Sequence, residues 1–238
     1  MAGPAPFLSV VVPLRDEAES LEPLHRELDA ALAAVAGGVE LIFVDDGSRD
    51  DGLTRLRGIA AKDARVRVIA LDGRHGQTAA LDAGFRAARG EVTVTLDADL
   101  QNDPADIPAL LARLDGADVV NGVRQRRRDS PVRRLSSRIA NGVRNRVTRE
   151  TVTDVGCSLR AMRTEYLRRV KLFRGMHRFL PTLLRLEGAR VVEIPVAHRA
   201  RRYGASKYGI RNRLWTGLAD LAAVRWMQSR ALRYRRSE

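Results

Sequence analysis

The chain has 238 residues, 45% of them hydrophobic, and a formal net charge of +13. That length suits one large domain or two small ones, and the lone cysteine, Cys157, excludes an internal disulfide and fits a reducing compartment. No run approaches the roughly 20 apolar residues needed to cross a bilayer, and the N-terminus has no charged and apolar leader pattern. His25, His75, His177 and His198 are too scattered for a zinc site and are expected on the surface or internally satisfied. The positive balance calls for an anionic partner: nucleic acid, anionic lipid or a phosphorylated substrate.

Along the chain, Phe7 to Val12 is an apolar run closed by Pro13, and Val39 to Val44 a second closed by Asp45-Asp46-Gly47-Ser48. Both have the composition of buried parallel strands. Between them Leu21, Leu24, Leu28, Ala31, Leu32 and Val35 recur at helical spacing, with Gly37-Gly38 as a stop. The unit repeats: helix over Thr54 to Ala61, strand over Val66 to Leu71, helix over Gln77 to Ala88, strand over Val92 to Leu96, helix over Asp106 to Leu114 and strand over Ala117 to Gly122. Strands alternating with helices predict an open, mostly parallel α/β sheet covered on both faces, with ligands at the carboxyl ends of the strands. Three polar segments follow strands directly: Pro13 to Glu17, Asp45 to Ser48 and Asp97 to Gln101. If strand alternation persists past Leu96, Asp97 and Asp99 point to one side and can hold a hard cation such as magnesium or manganese with a diphosphate.

From Arg124 to Arg149 there are ten arginines and one acidic residue, Asp129. This stretch is either a solvated basic helix or linker or an anion-binding surface. Val191 to Val196 restores a strand, followed by the basic loop Arg201 to Tyr208. Leu214 to Trp226 is an amphipathic helix that either packs on its own domain or lies in a membrane interface. The Arg230 to Arg236 tail adds positive charge attracted to anionic headgroups.

Six segments in order carry a resemblance: VVVPLRDE (Val10 to Glu17), FVDDGSRD (Phe43 to Asp50), HGQTAALDAGFRAARGE (His75 to Glu91), LDADLQNDP (Leu96 to Pro104), TDVGCSLR (Thr153 to Arg160) and RRYGASKYG (Arg201 to Gly209). With them the chain resembles family 2 glycosyltransferases of the GT-A, Rossmann-like fold, and within these the polyprenyl-phosphate glycosyltransferases, similar to dolichol-phosphate mannose synthases. The resemblance implies a catalytic domain over 1–209 and a basic, amphipathic membrane-interface helix and tail over 210–238. It implies metal-dependent, inverting transfer of a sugar from a UDP- or GDP-linked donor to a polyprenyl phosphate, for cell-envelope glycan or lipid modification. Pro13, Arg15, Glu17, Asp45, Asp46, Gln77 and Asp97 are then expected at the nucleotide sugar. Asp97, Asp99 and Gln101 are expected on Mg2+ or Mn2+.

Arg124, Arg133, Ser137, Arg201 and Lys207 are expected on the lipid phosphate or the donor diphosphate, with Arg134 a rival to Arg133. Asp99, Asp154, Arg133 and Ser137 form the expected catalytic set. Asp154 matches the position of a proposed base; because a lipid monophosphate, with a second pKa near 6, is already largely ionised at neutral pH, it is expected instead to orient an arginine or the acceptor.

Where the family usually has Tyr-Asn-Glu after the first strand, this chain has Arg15-Asp16-Glu17, so no aromatic contact to the base is expected. Arg74-His75-Gly76-Gln77 likewise replaces an Asn-containing turn. Relatives commonly carry two C-terminal membrane helices. With only an amphipathic segment here, the expectation is a cytoplasmic protein held peripherally on the cytoplasmic face by an anionic membrane surface or an integral membrane partner. A saccharide acceptor and a degenerate, non-catalytic relative are the nearer alternatives. Nucleic-acid binding fits poorly, because aromatic content is 5% and acidic residues gather at strand ends.

Overall fold

The continuous apolar runs become the central strands, because a strand covered on both faces has no side that can tolerate polar groups. The computed structural model describes residues 5–125, 142, 144–148, 150–203 and 213–232. β1 (Leu8–Leu14), β2 (Val39–Asp45), β3 (Val66–Ala70) and β4 (Val92–Thr95) are mutually parallel, and every residue of β1 is buried. β5 (Val119–Arg124) and β7 (Val191–Val196) pair in parallel, while β6 (Arg160–Arg163) runs antiparallel between β4 and β5. The order across the sheet is β3-β2-β1-β4-β6-β5-β7.

Helices α1 (Ala18–Leu32), α2 (Gly52–Ala60), α3 (Gln77–Ala87) and α4 (Ile107–Arg113) connect the early strands. α1 buries Leu21, Leu24, Leu28 and Leu32 against β1 and β2, each worth about 1.5–3 kcal/mol in removed apolar surface. α3 lies on the opposite face with Ala80, Leu81 and Phe85. Its Gly84 allows a close approach: a Cβ there would collide with Val11. These elements match the predicted ones to within a few residues, and the α/β architecture is as expected.

Among the described residues, β6, the short helices Thr164–Arg169 and Leu180–Leu186 and the 3-10 turn Met176–Phe179 were not expected. The C-terminal helix Arg213–Arg230 buries Leu221 and Val224 against Met176, Phe179 and Leu183, so one face packs on its own domain. Its outward face exposes Leu218 (45%) and Trp226 (64%). No helix among the described residues is long and apolar enough to cross a membrane.

Candidate active site at the carboxyl ends of the strands

Register brings the polar segments together. Leu14 pairs with Asp45 and Val11 with Thr95, so the exits of β1, β2 and β4 lie side by side. They open on a cavity of about 580 Å³ lined by Pro13, Arg15, Glu17, Asp46, Gln77, Asp97, Asp99 and Arg201, all singled out from the sequence. Its other lining includes Arg74, His75, Thr78, Arg174, Gly175 and His177.

Two loops at the cavity contain non-glycine residues at positive φ: Asp16 at 48° and Leu100 at 59°. Such conformations cost of order 1–3 kcal/mol and persist only where surrounding bonds dictate them. Around Asp16 those bonds are visible. Its N–H donates to Ser48 Oγ (2.8 Å), its carboxylate accepts from Arg49 N–H (2.7 Å), and Ser48 N–H and its hydroxyl bond Asp45 Oδ1. Asp45 therefore fastens the turn after β2 and is not among the lining residues. Asp46 accepts from the His75 and Gly76 N–H groups at 2.6 and 2.9 Å and sets the approach to α3.

Strand geometry stops at Thr95, so Asp97 and Asp99 reach the cavity through a turn rather than by alternation. Gln77 Nε2 donates to Asp97 Oδ1 at 2.8 Å. Arg201 donates to Asp99 Oδ2 at 2.6 Å and to Glu17 Oε1 at 3.1 Å, bridging two loops. Burial, then the neighbouring Asp99 charge, pushes Asp97 up to about 6, with Ser158, Arg160 and Arg124 acting the other way. A pair of hard oxygen donors, one held high by lost solvation and by its neighbour's charge, is the donor chemistry suited to Mg2+ or Mn2+, which would relieve both effects. Among the described residues no group of three or more His, Cys, Asp or Glu is gathered for a metal. The protein carboxylates are two, leaving further positions for phosphate oxygens and water. Gln101 does not line the cavity: its N–H caps Asp99 Oδ1 at 3.1 Å and its side chain faces the Arg199 carbonyl.

The second half of the sheet supplies cations. Arg160 sits in the sheet centre between Thr95 and Asn121. Its guanidinium, whose pKa burial lowers, donates to Asn121 Oδ1 (2.7 Å), Val155 O (2.8 Å) and His177 O (3.1 Å). Three bonds make a buried guanidinium tolerable. Asp154 accepts both forks of Arg124 at 2.8 Å and Gly156 N–H at 3.2 Å; Asp154 is buried and Arg124 mostly so, and neither lines the cavity. Arg133, its rival Arg134, Ser137 and Lys207 lie outside the described residues.

Several lining residues were not anticipated. Arg74, His75 and Thr78 follow β3, so the strand-end rule that selected the other three segments also points to this one. Arg174, Gly175 and His177 lie between short helices with no periodic signal. Thr78 Oγ1 ties them in, meeting His177 Nδ1 at 2.7 Å and Gly175 N–H at 3.0 Å.

Against known proteins, the family described as "Glycosyl transferase family 2" matches residues 9–171. The chain belongs to that family. Among its family relatives is an undecaprenyl-phosphate 4-deoxy-4-formamido-L-arabinose transferase of Edwardsiella ictaluri, 40% identical over 86% of this chain and 63% of the relative. Another is a dodecaprenyl-phosphate galacturonate synthase of Rhizobium johnstonii, 39% identical over 91% of this chain and 66% of the relative. The chain thus spans somewhat under two thirds of the length of these relatives. Glucosyl-3-phosphoglycerate synthase of Mycobacterium tuberculosis, solved with Mg2+ and UDP, shares the fold with TM-score 0.67 at 24% identity, over 95% of this chain and 79% of that one. A mannosyltransferase of Pyrobaculum calidifontis, solved with GDP-Man and Mn2+, aligns with TM-score 0.66 at 19% identity, over 97% of this chain and 66% of that one. These likenesses establish the GT-A fold for the family member described here.

Proposed function

We propose that the protein transfers a sugar from a nucleotide diphosphate sugar to a polyprenyl phosphate in a divalent-metal-dependent, inverting reaction. The observation that carries this reading is the Asp97–Asp99 pair facing Arg201 and Gln77 in one strand-end cavity. Relatives named for lipid-phosphate acceptors, about 40% identical, favour that acceptor over a saccharide.

The acceptor nucleophile is a phosphate oxygen that is already ionised at neutral pH, so the protein's task is charge neutralisation and placement rather than deprotonation. Asp97 and Asp99 would hold the cation, which when bound supplies stabilisation of charge on the departing nucleotide. Glu17, Arg15 and Asp46 line the donor side, and Gln77 orients Asp97. Arg201 is proposed as a bidentate partner of phosphate and Arg124, whose Nε and Nη2 are held by Asp154, as a fixed positive charge near it, with Arg133, Ser137 and Lys207 proposed for the same task. Asp154, locked onto Arg124, fits a positioning role: it fixes the guanidinium that meets an anionic substrate.

Residues 210–238 are proposed to lie on the cytoplasmic face of an anionic membrane. Leu218 and Trp226 project outward with Arg225 and Arg230 nearby, and Phe173 is exposed beside Lys171. An integral membrane partner is compatible with this placement.

The test is to incubate the protein, Mn2+ and undecaprenyl phosphate with a panel of labelled UDP- and GDP-sugars. Label entering organic-extractable lipid is expected. Label confined to water-soluble polymer would transfer the assignment to a saccharide acceptor.

A further inference from the structure

Two histidines line the cavity, His75 and His177, and the reading above gives neither ring a task. The His75 ring is exposed and meets the exposed Asp72. His177 is placed differently, because the chain on either side of it is fastened. Its carbonyl accepts from the buried Arg160 guanidinium at 3.1 Å, and Met176 and Phe179 are buried against Leu221 and Val224 of the C-terminal helix. Gly175 has φ +86°, and an added Cβ would lie 2.5 Å from Asp220 Oδ2 of that helix, which Arg178 pairs at 2.9 Å.

The ring itself is fixed by one hydroxyl. His177 Nδ1 stands 2.7 Å from Thr78 Oγ1, and that oxygen also accepts the Gly175 N–H at 3.0 Å. Thr78 is only 7% exposed, so its hydroxyl proton needs an acceptor inside the protein. Among the described residues no acceptor other than His177 Nδ1 stands at hydrogen-bond distance from it. A hydroxyl has one proton to give, and a neutral imidazole whose Nδ1 accepts it carries its own proton on Nε2. The reverse arrangement, with Nδ1–H donating to Thr78, would leave a buried hydroxyl proton unbonded and is the costlier of the two.

On the transferase reading above, we propose that His177 is a substrate-binding residue whose Nε2–H donates to an oxygen of the nucleotide sugar, and that Thr78 is the positioning residue that selects this tautomer. Thr78 follows Gln77, whose amide donates to Asp97 at 2.8 Å, so the first turn of α3 joins the imidazole to a carboxylate of the same cavity. With Nδ1 taken by Thr78, Nε2 is the ring nitrogen that serves a ligand. The cavity is lined by four arginines and four carboxylates. An uncharged N–H adds a directional bond there without disturbing that balance, as sparse polar groups in ligand sites do.

Long-range 15N–1H spectra of the full chain at pH 8, where an ordinary histidine is neutral, read the tautomer directly, and four histidines contribute to them. Comparison with His177→Gln assigns the signals. The proton is expected on Nε2, and a proton on Nδ1 overturns the inference. Adding Mg2+ with UDP or GDP, then with UDP-glucose or GDP-mannose, should shift the Nε2 signal, at the first step if the oxygen belongs to the diphosphate and at the second if it belongs to the sugar. A signal that moves with farnesyl phosphate alone, or with none of these while calorimetry shows nucleotide bound, removes His177 from the donor. By calorimetry, His177→Asn should lose about fivefold in affinity for the same nucleotide, and His177→Gln, whose amide reaches the Nε2 position, should keep most of it. Thr78→Val should lose a similar amount and Thr78→Ser little, with no further loss when Thr78→Val is added to His177→Asn. Equal losses in the Gln and Asn variants, or additive losses in the double variant, would reveal a packing role and overturn the proposal. Failure of every nucleotide to bind would sink the transferase reading and the ligand contact with it, while the spectrum of the free chain still decides which nitrogen carries the proton.

Discussion

The two halves of the sheet solve different problems. In the β3-β2-β1-β4 half, apolar parallel strands end together and deliver carboxylates: Glu17, Asp46, Asp97 and Asp99. In the β6-β5-β7 half, strands of mixed direction deliver guanidinium groups: Arg160 at the start of β6, Arg124 at the end of β5 and Arg201 beyond β7. One half presents carboxylates and the other guanidinium groups, and they meet where Arg201 touches Asp99. The lesson is that overall basicity and an acidic cluster are two parts of one device.

The largest way to break the basic half is Asp154→Ala, which leaves Arg124 buried without its carboxylate. A loss of about 3–5 kcal/mol is expected by urea unfolding. An unchanged midpoint would show that the Arg124 pair does not hold that half together. In the acidic half, Asp99→Asn should keep the fold and lower lipid-linked turnover on the order of a hundredfold, with weaker Mn2+ binding by electron paramagnetic resonance. Retained turnover with wild-type Mn2+ dependence would remove the metal role from that aspartate.

A pH experiment sharpens the same contrast. Asp97 is held at about 6, above the ordinary 3.8, so folding favours its protonated form. That contribution is complete below about pH 4 and is lost as pH rises through about 6. Metal-free Asp97→Asn, which never ionises, should therefore be more stable than wild type at pH 8 by about 1–2 kcal/mol after solvent screening. The difference should shrink to nothing near pH 4; a pH-independent gap would point to packing instead. The smallest effect is at the outward face of the C-terminal helix. Trp226→Ala should change stability by less than about 0.5 kcal/mol while reducing sedimentation with anionic vesicles; equal loss with neutral vesicles would argue against charge as part of that contact.

The fold was legible where burial is continuous. β1 and β2 are nearly continuous apolar runs, β4 alternates valine with buried threonine, and α1 and α3 show unambiguous apolar spacing. β6 was not, because Arg160-Ala161-Met162-Arg163 is short and begins with an arginine whose burial depends on Asn121, Val155 and His177, contacts that only the folded chain assembles. Its reversed direction also hides Ser158, which receives Asn102 Nδ2 at 2.7 Å and Asp97 N–H at 3.2 Å: residues leading into an antiparallel strand share the sheet end with residues leaving parallel ones. At the site, the expectations for Asp46, Gln77, Asp97, Asp99 and Arg201 as neighbours of one cavity agree with the structure. Asp45 and Gln101 line no part of it. Carboxylates and amides cap turns with the same atoms that would bind a ligand, and spacing alone does not separate the two uses.

The Arg201 bridge has a consequence for how a ligand enters. A guanidinium spanning Glu17 and Asp99 offsets one of their two negative charges and ties the two loops together. On the reading proposed above, a cation held by Asp99 would have to compete with that guanidinium, and Arg201, once displaced by it, would stand as a positive charge beside the donor phosphates.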